Sequence, residues 1–194
     1  MGPMEKPSGF TLSEALVALA VVGVLTGFAL PAFQGFVERN RSTVALNQLV
    51  GSIQSARHAA VTLRTPVTLC PSDDQLSCGA RDAWHLGTLI FADRNADGRR
   101  DPTEPVLRWL PGFDGGARIY WRSFRNRSYL QLSPTGLTDW QNGNLLYCPP
   151  DGDPNFAREV IINAQARARV APDTNHDGIA EDASGQPLRC PLAP

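Results

Sequence analysis

Two hydrophobic patterns run along the first third of the chain and meet near residue 40. From Phe10 to Phe33 apolar residues occupy every side of the segment, with no period that would leave a wet face. About twenty such residues cross a hydrocarbon layer, so residues 10–33 are predicted to form a membrane-spanning helix. Beyond Asn40 the apolar residues Leu46, Leu49, Val50, Ile53, Ala56 and Ala60 recur at three- and four-residue steps. That spacing predicts one buried helical stripe, with Arg41, Asn47, Gln54 and Arg57 facing outward. The helix as a whole is predicted over residues 10–65. Pro31 should weaken or kink it, because proline removes a backbone donor. Thr65-Pro66 should end it, because the residue before proline leaves the helical region.

From residue 66 the period shortens. Runs rich in Val, Leu, Ile and aromatic residues alternate with clusters of Gly, Pro, Asn and Asp, which is the pattern of short strands and turns. Strands are predicted at 67–70, 84–92, 105–110, 118–121, 129–132, 144–148, 158–163 and 167–170. A long helix followed by such strands implies an α+β chain: an N-terminal helical spine packed on a mostly antiparallel β head spanning residues 66–194. The polar stretch from Pro172 onward is expected to be a loose tail.

Charge sharpens this outline at one point. Glu14 lies a few residues inside the apolar run, where an unpartnered carboxylate costs about 2.5–3.5 kcal/mol on insertion scales. A segment that only anchors the chain has no use for that cost; one that leaves the bilayer to dock on a neighbour does. The formal net charge is −1, so attraction to nucleic acid has to come from a local patch. Cys70, Cys78, Cys148 and Cys190 all follow the apolar segment. An even number beyond a membrane span reads as disulfides in an oxidising compartment. Of the three possible pairings, Cys70 with Cys78 and Cys148 with Cys190 is preferred: the first closes a tight loop and the second ties the C-terminus to the body.

The residues before the apolar run are short and polar, with Lys6 as their basic residue, and end in Gly9 followed by Phe10. A secretory signal places its small residue after the apolar run; here it comes before. The sequence from Gly9 through Phe10-Thr11-Leu12-Ser13-Glu14 resembles the processing signal of type IV pilins and type II secretion pseudopilins. The resemblance implies a leader over residues 1–9, a prepilin peptidase cut between Gly9 and Phe10, and N-methylation of Phe10. Glu14 then becomes the fifth residue of the mature chain, where that family's acid pairs with the N-terminal ammonium of an adjacent subunit. The head narrows the likeness. Residues 66–72, the stretch 84–93 and the run Asn95, Asp97, Gly98, Asp101 and Glu104 resemble the GspH/FimT family of pseudopilins and minor pilins. A type IV pilin-like fold without catalytic activity is implied. So are an inner-membrane site with the head in the periplasm, and assembly with other pilins through the N-terminal helix.

The same family suggests a contact with DNA. Its minor pilins of DNA uptake carry a C-terminal Gly-Arg-x-Arg motif, and Ala166-Arg167-Ala168-Arg169 matches it at both arginines but not at the glycine. Alternation along a strand places Arg167 and Arg169 about 6–7 Å apart on one face, near the spacing of successive phosphates. Alanine at 166 puts the turn in doubt, since it lacks glycine's backbone freedom. A second basic stretch, residues 118–127, interleaves four arginines with Tyr120, Trp121 and Phe124. It reads either as a base-stacking platform or, preferably, as core aromatics with solvated arginines.

Two acidic loops carry a metal-like pattern. Asp93, Asn95, Asp97, Arg99 (through its carbonyl), Asp101 and Glu104 sit at the ligand spacings of a calcium loop, with Gly98 at the turn. Asp173, Asn175, Asp177, Gly178 and Glu181 echo part of it. Such Asx-Gly clusters also make hairpin turns without metal, so Ca²⁺ is a possible ligand and no cofactor is required. No Gly-x-Ser-x-Gly elbow, phosphate-cradling glycine loop or His-Glu-x-x-His helix is present in the sequence. The leading expectation is a minor pilin of a type IV pilus that aids DNA uptake. The alternatives are a type II secretion pseudopilin and a calcium-stabilised adhesive head.

Overall fold

The computed structural model describes residues 9–113, 115–138 and 140–191. The leader expected over residues 1–9 therefore lies outside the described residues apart from Gly9. The chain divides into two compact units, one up to Arg39 and one from Asn40 onward.

A single helix, α1, runs from Leu12 to Leu63. Its start is a reciprocal cap. The Thr11 hydroxyl accepts the Glu14 amide at 3.3 Å, while Glu14 Oε2 accepts the Thr11 amide at 2.9 Å. This Thr-x-x-Glu box satisfies two amides that a helix start otherwise leaves bare. Its end is equally specific. Arg64 takes a left-handed φ of 51°, and the Thr65 amide donates to the Ala60 carbonyl at 3.3 Å. That six-to-one bond closes the last turn, and Pro66 prevents continuation. The helix continues through position 31 as one element, so the proline does not end it. In the first unit large apolar side chains such as Phe10, Leu16, Val22, Phe28, Phe33 and Phe36 are exposed, and the helix is long and apolar enough there to cross a membrane.

In the second unit, eight strands follow the helix among the described residues. They are β1 Val67–Pro71, β2 Gly87–Ala92, β3 Val106–Pro111, β4 Arg118–Ser123, β5 Leu130–Leu132, β6 Gly143–Cys148, β7 Arg158–Ile162 and β8 Ala168–Val170. They form two four-stranded antiparallel sheets, ordered β3-β2-β1-β5 and β4-β6-β7-β8. Each predicted strand has its counterpart. The main discrepancy is at 84–86, where the chain turns instead of pairing and buries Trp84 against Trp121, ring centroids 5.7 Å apart. Both indole N–H groups donate to carbonyls of the 124–128 excursion, Trp84 to Ser128 and Trp121 to Arg127. The pair thus joins the start of one sheet to the other.

The stripe Ala45, Leu46, Leu49, Ile53, Ala56 and Ala60 packs against the inner faces of both sheets, on Leu69, Ile90, Leu130, Ile119, Leu145 and Val160 among others. Arg41, Asn47 and Gln54 are exposed, as the period requires. Disulfides join Cys70 to Cys78 and Cys148 to Cys190. The smaller loop is organised by Asp74. Its carboxylate accepts the Ser77 hydroxyl and amide and the Leu76 amide, which hold it well below the usual carboxylate range.

The segment after Val170 is a packed strap and not the loose tail expected from its polarity. Ala171, Ala180 and Leu188 are buried with Leu146, Cys148 and Ala157 on the outer face of the second sheet. The Glu181 amide binds the Pro172 carbonyl, and the Leu188 amide binds that of Ala180. Three small apolar residues, spaced far apart among polar ones, leave no period to read.

Candidate functional site

Gly9 and Phe10 precede the helix and are exposed, with no described residue within 4 Å of the position a Gly9 side chain would take. Glu14 lies five positions past Gly9. Both its bonds to Thr11, from the amide and from the hydroxyl at 2.8 Å, end on Oε2. Oε1 accepts no hydrogen bond among the described residues, so the cap leaves one oxygen for another partner. The sequence signal for this cap is the Thr-x-x-Glu spacing before an apolar run.

Arg167 and Arg169 lie on the β7–β8 hairpin at the edge of the second sheet. The turn is built by Asn163. Its carbonyl accepts the Ala166 amide at 2.9 Å, and its Oδ1 accepts the amides of Gln165 and Arg167. Ala166 has φ of 56°, the left-handed value that closes a type I turn with a bulge. The substitution of alanine for glycine thus leaves the turn in place, at a cost of roughly 1–2 kcal/mol for a residue with a Cβ. Burial of the methyl, 3 % exposed, offsets part of it.

Beyond that turn Ala168 packs toward the core while Arg167 and Arg169 are exposed. They line one groove with Gln54, Arg57 and Asn163. Arg57 belongs to the outward helix face predicted from periodicity; what the linear sequence hid is that the hairpin folds back beside it. None of the three guanidinium groups donates a hydrogen bond within the described residues. Glu159, on β7, is the nearby acid. Burial pushes its carboxyl up, a bond from Asn144 opposes this, Asp182 adds to it, and Arg122 and Arg169 work against it.

The 118–127 stretch divides. Trp121 is core and Arg118, Arg122 and Arg125 are exposed, as the preferred reading requires, while Tyr120 is half-buried on the other face beside Leu146 and Cys148. Phe124 is not core: it is 58 % exposed on a short turn whose Arg125 and Asn126 both have positive φ. The turn exists to carry the backbone around the two buried tryptophans, so its own side chains point to solvent. Arg127 is held by the Tyr129 ring and hydroxyl.

The first acidic loop, between β2 and β3, is filled by the protein's own donors. Asp93, fully buried, accepts Thr68 Oγ1 and Gln131 Nε2, both at 2.7 Å, and the amides of Gly98 and Asp97. Glu104 accepts the amides of Arg94 and Asp101. Asn95 bridges Asp97 and Asp101, and the Arg99 amide donates to Asp97. Gly98 is required: φ is 77° and a Cβ would fall 2.0 Å from the Tyr129 ring. In the second loop oxygen atoms of Asp173, Asp177 and Glu181 lie within 4.8 Å of one another.

The family described as Type II transport protein GspH matches residues 45–166, and the prokaryotic N-terminal methylation motif matches residues 4–30. The chain belongs to the GspH family. This GspH-family chain is 30 % identical over 167 residues to the pilin-like protein PilA1 of Thermus thermophilus, covering 84 % of this chain and 97 % of that one. Against the type IV major alpha-pilin of Moraxella bovis it is 31 % identical over 64 residues, 33 % of this chain and 40 % of the length of that pilin. Its fold is that of the type IV minor pilin FimU of Pseudomonas aeruginosa (TM-score 0.55, 22 % identity, 71 % and 92 % of the two chains). The minor pseudopilin EpsH from the Vibrio cholerae type 2 secretion system shares it (TM-score 0.50, 8 % identity, 69 % and 98 %). The chain is accordingly a pilin-like filament subunit with an apolar N-terminal helix, not an enzyme.

Proposed function

We propose that this subunit is a minor pilin of a type IV pilus whose head contacts DNA along the β8 edge. The observation that carries the reading is the hairpin itself: Arg167 and Arg169, exposed and without hydrogen-bond acceptors among the described residues, share a groove with Arg57. A guanidinium left to solvent is available for phosphate. Titrating the full-length protein in detergent against labelled duplex DNA tests it. Micromolar binding that weakens steeply with salt supports the reading; no binding at 50 mM salt overturns it. The second reading, a type II secretion pseudopilin, is favoured by the GspH family description and needs no DNA contact.

Both readings share a life cycle. Prepilin peptidase cuts between Gly9 and Phe10, Phe10 is methylated, and the helix waits in the inner membrane with its head in the periplasm, where the two disulfides form. Glu14 then receives the ammonium of an adjacent subunit's first residue at Oε1, while Oε2 keeps the cap. Pairing satisfies two charges whose separate burial is costly. Glu14→Ala is expected to lower the recovery of this subunit in sheared filaments at least tenfold, with membrane-fraction levels of the precursor unchanged. Normal incorporation refutes the pairing.

Position 166 gives a quieter check on the hairpin. Ala166→Gly removes the left-handed strain and a buried methyl together, terms of about 1–2 and about 1 kcal/mol that oppose each other. The melting temperature is expected to move by less than about 4 °C, with DNA affinity within about twofold of the parent. A large loss of affinity would mean that the Ala166 methyl, not the turn, shapes the groove.

A further inference from the structure

We propose that the 173–181 loop is a calcium site that fixes the C-terminal strap to the second sheet. Three carboxylates converge there: one oxygen each from Asp173, Asp177 and Glu181 lies within 4.8 Å of the others. Convergence of acids alone proves little. The decisive feature is what their oxygens lack. Glu181 is only 6 % exposed, and its Oε1 has no hydrogen-bond partner; Asp173 Oδ1 is likewise enclosed without a donor. The other oxygens are taken: Glu181 Oε2 accepts the Thr174 amide and hydroxyl, Asp173 Oδ2 accepts the Gly178 amide, and Asp177 Oδ1 and Oδ2 accept the Ile179 amide and the Asn175 side-chain amide. Two buried carboxylate oxygens facing a shared negative cluster are expensive unless a cation joins them.

The first acidic loop supplies the control. It has the fuller ligand pattern, yet both oxygens of Asp93 and both of Glu104 end on N–H or O–H donors. Thr68 and Gln131 reach in from β1 and β5 and do for Asp93 what a cation would do. Among the described residues, the hydrogen bonds to Asp173, Asp177 and Glu181 all come from within residues 174–179. A site built on three carboxylates, with the Asn175 amide oxygen and the residue-179 carbonyl at the next ligand spacings, suits a hard cation of high coordination number. Asn175 and Asp177 are exposed, which leaves room for water to complete the shell. Calcium fits this irregular, partly open set better than magnesium, which demands a near-octahedral one.

The position gives the site a purpose. Ala180, next to Glu181, is buried on Leu146, Cys148 and Ala157, and Glu181 pairs with Pro187 just before Leu188 and the disulfide-bonded Cys190. An ion at Glu181 therefore pins the middle of a segment whose end is pinned by the disulfide.

The test uses the full chain in detergent, stripped with EGTA and titrated with CaCl₂ by calorimetry. One ion per chain is expected, with a melting temperature raised by about 5–10 °C at a hundredfold excess over Kd. Asp177→Asn, at an exposed position, is expected to keep the circular dichroism spectrum and lose both effects. Asp97→Asn, in the first loop, is expected to keep both. The proposal is overturned if the parent shows neither heat nor stabilisation, if Asp177→Asn retains them, or if Asp97→Asn abolishes them. It is also overturned if Mg²⁺ at equal concentration does as well.

Discussion

Replacing Arg167 and Arg169 together by Gln is expected to lower affinity for duplex DNA about a hundredfold at 0.1 M salt and to reduce the log–log salt slope by about two. The size follows from counterion release. Each arginine that neutralises a phosphate frees close to one condensed cation, and at 0.1 M salt that release is worth about tenfold in affinity. Gln keeps the polar stem and removes only the charge. Both positions are exposed and donate no internal bonds, so the fold has nothing to lose by the change. Arg57→Gln is the informative companion. It stands on the helix, outside the hairpin, yet lines the same groove; a third unit of slope is expected from it. Parent-like affinity and slope in the hairpin double variant would remove DNA from this edge altogether. A parent-like slope in Arg57→Gln alone would confine the contact to β8.

Most of this architecture was legible from patterns that depend on local physics. The stripe from Leu46 to Ala60 follows the helical period because that face packs on two sheets, and all eight strands were bounded by turn residues whose backbone preferences are local. Both disulfides were recoverable, one from a tight loop and one by its tie to the C-terminus. The residues misread are those whose surroundings come from far away in sequence. Phe124 has an aromatic composition typical of core, but Trp84 and Trp121 already occupy that space and the turn carries Phe124 outward. The strap after Val170 is polar because only Ala171, Ala180 and Leu188 face the sheet, at intervals set by the sheet's surface rather than by a helix or strand period.

The acidic loops make the same point about sites. By spacing alone the 93–104 loop is the better cation binder, since every side-chain position of the template is filled. Its donors, Thr68 and Gln131, stand 25 and 38 residues away from Asp93 and are invisible to a local template. Conversely, the poorer match at 173–181 keeps unsatisfied oxygens. Ligand spacing says where acids gather; only the fold says whether protein or ion answers them. The hairpin arginines show the reverse case. Alanine at the glycine position argued against the turn, but Asn163 supplies enough hydrogen bonds to hold Ala166 in the left-handed region.

Cys148→Ser with Cys190→Ser is expected to raise the population of the undocked strap about a thousandfold, read as a matching rise in protease cleavage between residues 172 and 189. The bond closes a span of 42 residues, for which the chain-entropy estimate is about 4 kcal/mol, close to three decades in an opening equilibrium. That loss falls first on the strap. The strap's apolar contacts are three small or medium side chains, whereas the helix and both sheets share a core built on Trp84, Trp121, Leu49 and Ile53. Segments with so few buried contacts open on their own, below the free energy of global unfolding. Strap cleavage should therefore be fast well below the urea midpoint of the tryptophan signal. The bond between Cys70 and Cys78 spans only 8 residues, worth about 2.5 kcal/mol by the same estimate. Its loss is expected to lower the global midpoint, because Cys70 is buried with Leu89 and Phe91 of the first sheet and not against the strap. Equal cleavage rates in the parent and the Cys148/Cys190 variant would show that the strap is held by its packing and its acidic loop alone.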